Sequence, residues 1–417
     1  MIRRILVDQL RDHIGETVTI AGWVRTSRLQ RAMQFILVRD HTGTTQVTHR
    51  RDGGRLDAVL DTLTTESAVR VTGRVIENPV VTLGGLEIVP EDVTVENLAA
   101  APLPIDEHSG PEHRLDWRFL DLRLRPRARE VFAVQTTVER AMREFADAEG
   151  CTEMHTPKLM GTASESGAEV FTVGYFGTTA YLAQSPQFYK QLAIAAGIDR
   201  VFEVGPVFRA EPSFTSRHAT EFTGVDAELA WIDGVEDVMV FEERMLVHVL
   251  RAVADNHDIP VTVPKTPFPR ITMAAARKLL GTADDDFNPE AERRLGAHIA
   301  ETTGHEFVFV TDYPVSVRPF YHMRDRDRTR SYDLLWNGLE ITTGAQREHR
   351  YDVLLQQAAE KGLSPEPMRG YLDCFKYGCP PHGGFGLGLG RLLMALLRLD
   401  SIRDATFLFR GPNRLAP

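Results

Sequence analysis

Four stretches of the chain concentrate residues suited to binding and charge chemistry. They are "VFRAEPSFTSRHATEFTGVDAELAW" (207–231), "SPQFYK" (185–190), "YDLLWNGLEITTGAQREHR" (332–350) and "HGGFGLGLGR" (382–391). Arginine offers a rigid fork of donors that matches phosphate and carboxylate oxygens. Asp333 and Glu340 are hard oxygen donors of the kind magnesium prefers, an ion that keeps waters and bridges substrate phosphates. Taken singly, each arginine reads as a surface ion pair and each carboxylate as a solvated surface charge. The glycines Gly383, Gly384, Gly386, Gly388 and Gly390 alternate with apolar residues and run into Arg391. That is neither the dinucleotide fingerprint nor the P-loop. Alternation predicts a strand stripped of side chains on one face, open to a flat ligand or to another backbone. A tightly packed core strand under a helix fits the same pattern. Asp333 and Glu340 are seven positions apart, an odd offset that one regular strand would send to opposite faces, so a bulge or a turn at Asn337-Gly338 is expected.

The elements around these stretches divide the chain. With 417 residues it is long enough for two or three domains. Residues 17–95 predict five short strands, with helical spacing at 52–66 after the third. That layout is an OB-fold barrel, a recurrent oligonucleotide binder. The stretch 101–126 opens rich in proline and polar residues and reads as a linker. A long helix is predicted over 127–149, ended by Gly150. Strands and helices then mix without βαβ repetition, which predicts an α+β domain over 127–417. The expected domains are therefore 1–100, 101–126 and 127–417.

Composition sets further bounds. No apolar run reads as a signal peptide or a membrane span, so no membrane role is expected. Three cysteines make no disulfide framework, which points to a reducing cytoplasm. Cys374, Cys379 and His382 fit no zinc spacing. The net charge of −10 argues against a nucleic-acid coat, but arginines at 25–55 form a local basic patch sufficient for RNA phosphates.

Three separated stretches share an order: "EFADAEGCTEMHTP" ending at Pro157, then "FRAE…RHATEF", then "GFGLGLGR". They resemble the three signature motifs of class II aminoacyl-tRNA synthetases. "YLAQSPQFYKQL", "YDLLWNGLEITTGAQREHR" and "PPHGGFGLG" are similar to the compact archaeal-type aspartyl branch, and the resemblance spans essentially the whole chain. It implies an N-terminal OB-fold that binds the anticodon. It implies a catalytic domain built on an antiparallel sheet flanked by helices, and a homodimer joined through the first motif. The implied reaction joins L-aspartate to ATP and passes it to tRNA(Asp), with tRNA(Asn) open as a second substrate.

The resemblance also assigns residues. Arg209 would meet the α-phosphate and Glu211 the adenine side; with Arg391 they form the catalytic set. Phe222 would stack on adenine with Arg391 over its other face, and Arg217 and His218 would meet the outer phosphates. Asp333 and Glu340 would hold Mg2+, Glu340 also serving the ATP site. Arg347 would bind the aspartate side chain, with Lys190 as a second cation held by Asp226. Such a site rejects an amide, whose NH2 would face two cations. Glu165, Ser185 and Gln187 would receive the α-ammonium and backbone atoms. On the barrel, Arg25, Phe35 and Gln46 would contact an anticodon base, although Phe35 in "MQFILV" also reads as core. The chain departs from the family at Gly390, where an acid is usual, at Phe409, where proline is usual, and at Pro212. Those departures leave room for a repurposed RNA-binding relative. The asparaginyl enzymes are near relatives that lack a lysine at the position of Lys190.

Overall fold

A computed structural model describes residues 4–162 and 169–416, in two compact units, Met1–His108 and Ser109–Pro417. The first unit is a barrel of β1 (Thr17–Leu29), β2 (Met33–Arg39), β3 (Thr44–Arg50), β4 (Ala68–Glu77) and β5 (Leu86–Asn97), with α1 (Arg55–Asp61) after the third strand. It closes in the order β1-β2-β3-β5-β4. Alternating β-branched residues explain it: Val18, Ile20, Ile36, Val38, Val47, Val71 and Ile88 point inward and form one core. Closure leaves the barrel no exposed edge.

The second unit opens with α2 (Pro111–Asp116) and α3 (Arg118–Leu124), then α4 (Pro126–Ala148). The stretch 101–126, expected as a linker, therefore carries two short helices. Its prolines disguise apolar anchors, since Leu115 and Leu120 are buried. Arg118, also buried, bonds Asp121 and the carbonyls of Asp404 and Thr406, tying this stretch to the C-terminal segment.

There follow β6 (Thr152–Glu153), β7 (Leu159–Met160), β8 (Thr172–Tyr175), β9 (Thr178–Leu182), α5 (Gln187–Ala195), β10 (Arg200–Phe208), β11 (Glu221–Ala230) and α6 (Val235–Asn256). Next come β12 (Arg270–Thr272), α7 (Met273–Leu280), α8 (Pro289–Thr303), β13 (Phe307–Thr311), β14 (Arg324–Asp325), β15 (Arg328–Thr329), β16 (Ser331–Trp336) and β17 (Leu339–Gln346). The chain closes with α9 (Tyr351–Glu360), α10 (Arg369–Leu372), β18 (His382–Gly388) and α11 (Leu389–Leu397). An eight-stranded sheet runs β12-β13-β16-β17-β18-β11-β10-β6, antiparallel except at its two ends. Among the described residues, no helix is long and apolar enough to cross a membrane.

The two sheet faces differ in chemistry. Phe385 and Leu387 of β18 join the large core shared with α4 and α6. The opposite face carries a row of residues in cross-strand register: Glu203, Asp226, Gly386, Thr343 and Asp333. Helix α5 is held on this second face by Lys190, which reaches Asp226. Gly384 and Gly386 of β18 serve this face. A Cβ on Gly384 would lie 2.0 Å from the carbonyl oxygen of Ala227 and 2.3 Å from the Glu228 carboxylate. Gly384→Ala is expected to cost about 1–3 kcal/mol or more, as overpacked cores do, measured as a lowered urea midpoint at unchanged m-value.

Candidate active site

A cavity of about 280 Å³ opens on the polar face of the sheet. Arg209, Glu211, Arg217, His218, Phe222, Glu340 and Arg391 line it, together with Ser185 and Asp226. Four separated segments thus meet at one opening. The turn before α5 contributes Ser185, strand β11 with the loop before it supplies Arg217, His218, Phe222 and Asp226, β17 supplies Glu340, and α11 supplies Arg391.

The aromatic and cationic groups are already close. The Arg209 guanidinium sits 5.5 Å from the Phe222 ring centroid, and its Nη1 lies 3.8 Å from Glu211 Oε1. Arg391 donates from Nη1 to the carboxylate and to the carbonyl oxygen of Glu340, each at 3.2 Å. Arg217 is held by Glu292 of α8 at 2.6 Å. Burial pushes the Glu292 carboxyl up to about 7, Arg217 opposing and Glu340 adding repulsion. Burial, reinforced by Arg391, pushes the His218 imidazole below its ordinary value, so it is uncharged at neutral pH. The opening is therefore lined by three permanent cations and a neutral imidazole.

Behind the lining lies a buried charge cluster. Lys190 is fully enclosed, and its Nζ reaches Asp226 Oδ1 at 2.8 Å, Glu228 Oε2 at 3.4 Å and the carbonyl oxygen of Phe385 at 3.0 Å. The ammonium donates to the Phe385 carbonyl and forms ion pairs with both carboxylates. Arg347 donates from Nε to Glu228 Oε1 at 2.9 Å, and from Nη2 to the Gly384 carbonyl at 2.9 Å and to Glu228 Oε2 at 3.4 Å. Its Nη1 donates to His322 Nε2 at 2.9 Å. Burial pushes Asp226 above the usual carboxylate range in spite of Lys190. Burial acts on Glu228 as well, but Arg347 and Lys190 outweigh it and hold that carboxyl below its ordinary value. Gln187 reaches Gln191 and Glu228 rather than the opening.

Asp333 and Glu340 sit on neighbouring strands. The chain turns at Asn337-Gly338, both at positive φ, and a register shift between Leu334 and Leu335 sets Glu340 opposite Leu335 and Thr343 opposite Asp333. Both carboxylates come to one face through the turn, because Glu340 stands opposite Leu335, two positions from Asp333; the bulge, with Ile341 as its extra residue, sets Thr343 on that face as well. Asp333 lies behind the lining, accepting from Arg318 at 2.6 Å and from the Thr343 hydroxyl at 2.8 Å. Burial pushes the Glu340 carboxyl up, Arg391 opposing and Asp333 adding repulsion.

Glu165 lies outside the described residues. On the barrel, Phe35 and Gln46 share the outer face of β2 and β3, and Arg25 sits at a bulge of β1. Gln46 donates to Thr48 and to Glu87, each at 3.0 Å, and Asn78 donates to the same Glu87 carboxylate at 3.0 Å. The departures from the family pattern have a structural account at two positions. A Cβ on Gly390 would lie 2.9 Å from Ile402. Ile402 packs with Met394 and Phe409, so the room of the usual acid and proline is filled by apolar side chains. Nothing in the structure explains Pro212.

The chain matches the family of class II tRNA synthetases (D, K and N) over residues 110–410, and an OB-fold nucleic-acid-binding domain over 18–96. The chain belongs to that synthetase family. It is 40% identical over 425 residues to the aspartate–tRNA(Asp) ligase of Pyrococcus abyssi, covering 97% of each chain. It is 42% identical over 425 residues to the aspartate–tRNA(Asp/Asn) ligase of Methanopyrus kandleri, covering 97% of this chain and 96% of that one. Among solved structures, the asparaginyl-tRNA synthetase of Pyrococcus horikoshii with asparaginyl-adenylate superposes with a TM-score of 0.93 at 33% identity, covering 100% of both chains. The chain is an aminoacyl-tRNA synthetase with an N-terminal OB-fold and an α+β catalytic unit.

Three residues of the site, Glu228, Glu292 and Arg318, belong to none of the signature motifs in the sequence. Glu228 had a signal: it alternates with Asp226 in a strand otherwise fit for a core, and a buried acid requires a partner. Glu292 had none, being 75 positions from the arginine it holds. Glu228→Gln leaves two buried cations short of one carboxylate, and breaking a buried ion cluster costs about 3–5 kcal/mol. Urea denaturation is expected to register a loss of that size, with no compensating gain at any pH between 6 and 8.

Proposed function

We propose that the enzyme is an aspartate–tRNA ligase that forms aspartyl-adenylate from L-aspartate and ATP and esterifies it to the 3′-end of tRNA(Asp). The observation that carries this reading is the Lys190–Glu228–Arg347 cluster behind an arginine-lined cavity. Relatives matched over nearly the whole chain, whose names specify aspartate, add support. The asparaginyl enzyme aligns as completely but at lower sequence identity.

In activation, the α-carboxylate of aspartate attacks the α-phosphate and pyrophosphate leaves. Such a reaction needs alignment and charge stabilisation rather than a protein nucleophile. Arg209, whose guanidinium lies beside Phe222, meets the α-phosphate, and adenine stacks on Phe222. Glu211 reads the adenine edge. Arg217 and neutral His218 meet the outer phosphates, with Glu292 holding Arg217 at the correct reach. Arg391 turns from Glu340 to the nucleotide.

The donor set suits magnesium: two carboxylates and the Thr343 hydroxyl, all hard oxygens on one hairpin. Glu340 and Asp333 would hold the ion, which would neutralise phosphate charge. The aspartate side chain is recognised by Arg347 through its remaining Nη1 donor, with Lys190 fixing the local potential. Ser185 at the cavity receives the α-ammonium and backbone atoms, a role the resemblance also gives Glu165, while Asp226 holds Lys190. Two positive groups facing a carboxylate are satisfied, whereas an amide NH2 in that place leaves donors facing donors.

Arg25, Phe35 and Gln46 take an anticodon base on the barrel. A homodimer through the helix–strand–proline stretch ending at Pro157 accompanies this assignment, as does a cytoplasmic location, which suits three unpaired cysteines.

A second reading, in which tRNA(Asn) is charged as well, is favoured by the relative named for both tRNAs. The two anticodons differ at one base, so the end of β1 with its turn (25–32) and the loop at 78–86 decide. Arg347→Ala is expected to abolish aspartate-dependent pyrophosphate exchange, about 100-fold or more for a lost charged contact, with ATP binding retained; unchanged exchange contradicts the assignment. Charging tRNA(Asp) and tRNA(Asn) side by side with labelled aspartate decides the second reading, since strict preference for tRNA(Asp) excludes it.

A further inference from the structure

Arg318 is placed where a cation is wanted and where the sequence gives no hint of one. It follows the short helical turn Val315–Val317, outside the three signature stretches. Its side chain is almost wholly buried. Its Nη2 donates to Asp333 Oδ2 at 2.6 Å, and its guanidinium lies 3.7 Å from the Tyr313 ring centroid. Its Nε has no hydrogen-bond partner among the described residues. The other oxygen of Asp333 accepts from Thr343, which lines the cavity. Glu340, the second carboxylate of the hairpin, is held in the same way by Arg391 at 3.2 Å. Each carboxylate of the pair therefore already has an arginine.

We propose that Arg318 is a positioning residue that serves as a resident counter-cation for Asp333, so that the hairpin takes a divalent ion only together with nucleotide phosphates. Two carboxylates on one face of a hairpin would otherwise bind free divalent cations. An arginine on each cancels that attraction before substrate arrives. Arg391 is mobile in its role, since the nucleotide draws it from Glu340. Arg318 is not, because Tyr313 stacks on it and its surroundings are closed. The divalent ion is then attracted mainly by Glu340 and by the phosphates, and Asp333 contributes as a carboxylate already neutralised and fixed in orientation. This rests on the reading of Asp333 and Glu340 as a magnesium pair.

The test titrates Mn2+ into the full chain without nucleotide, followed by electron paramagnetic resonance of the free ion. Arg318→Met is expected to tighten Mn2+ binding about tenfold or more, since a unit charge is removed a few ångströms from the ion. Arg318→Lys, which keeps the charge, is expected to behave as the parent does. Adding Asp333→Asn to Arg318→Met is expected to abolish the gain. Equal or weaker Mn2+ binding by an Arg318→Met protein that melts as the parent does overturns the proposal. If that variant does not fold, Arg318→Gln, which can still donate to Asp333, carries the same comparison. With ATP present, Glu340→Gln is expected to weaken Mn2+ binding. If it does not, the magnesium reading falls, and this proposal with it, whatever the Arg318 variants do.

Discussion

The buried carboxylate of Glu228 is the contact around which the catalytic unit is arranged. It is fully enclosed, so it has to be neutralised inside the protein. Lys190 and Arg347 neutralise it from two directions, one from a helix laid over the sheet and one from just past β17. The same requirement fixes the strand between β17 and β11. A side chain at position 384 would collide with the Glu228 carboxylate, so β18 carries glycine there. The glycine-rich stretch thus has two uses along its length. Its first part makes room for the protein's own acid, and its later part, from Gly386 to Gly390, borders the cavity.

Electrostatically, the unit keeps its charges in matched groups until a ligand arrives. Arg217 rests on Glu292, Arg391 on Glu340, Arg318 on Asp333, and Arg209 lies near Glu211. Under the proposed function, a polyanionic substrate would take Arg209, Arg217 and Arg391 from their resting partners, while Arg318 stays on Asp333. That keeps the reorganisation cost low at the moment of reaction. It also explains how a chain of net charge −10 presents a cation-lined opening: the acids sit behind or beside the arginines.

Much of the barrel was legible because its strands obey a strict two-residue alternation with β-branched residues inside. The catalytic sheet was less legible. Its central strands are covered on both sides, so polar and apolar positions lose their contrast, and Asp226 and Glu228 read as misplaced acids in a core strand. The stretch before α4 looks like a linker in sequence because its prolines and polar residues outweigh the buried anchors Leu115 and Leu120. The cavity's arginines were legible through motif order, since no single one differs from a surface arginine. Glu292 and Arg318 were not, because what selects them is proximity across the fold, with no local periodicity to mark it. The off-pattern glycine at 390 became intelligible only with Ile402 and Phe409 beside it.

The irregularity between Leu334 and Leu335 has a consequence for how this hairpin can vary. Glu340 shares a face with Asp333 through the two-residue turn alone, since it stands opposite Leu335, two positions along the same strand. The bulge lies beyond Glu340, with Ile341 as its extra residue, and it sets Thr343 rather than Thr342 opposite Asp333. The Thr343 hydroxyl is thereby placed to donate to that carboxylate. Two separate counts thus govern the hairpin: the turn aligns the acids, and the extra residue selects which threonine orients one of them.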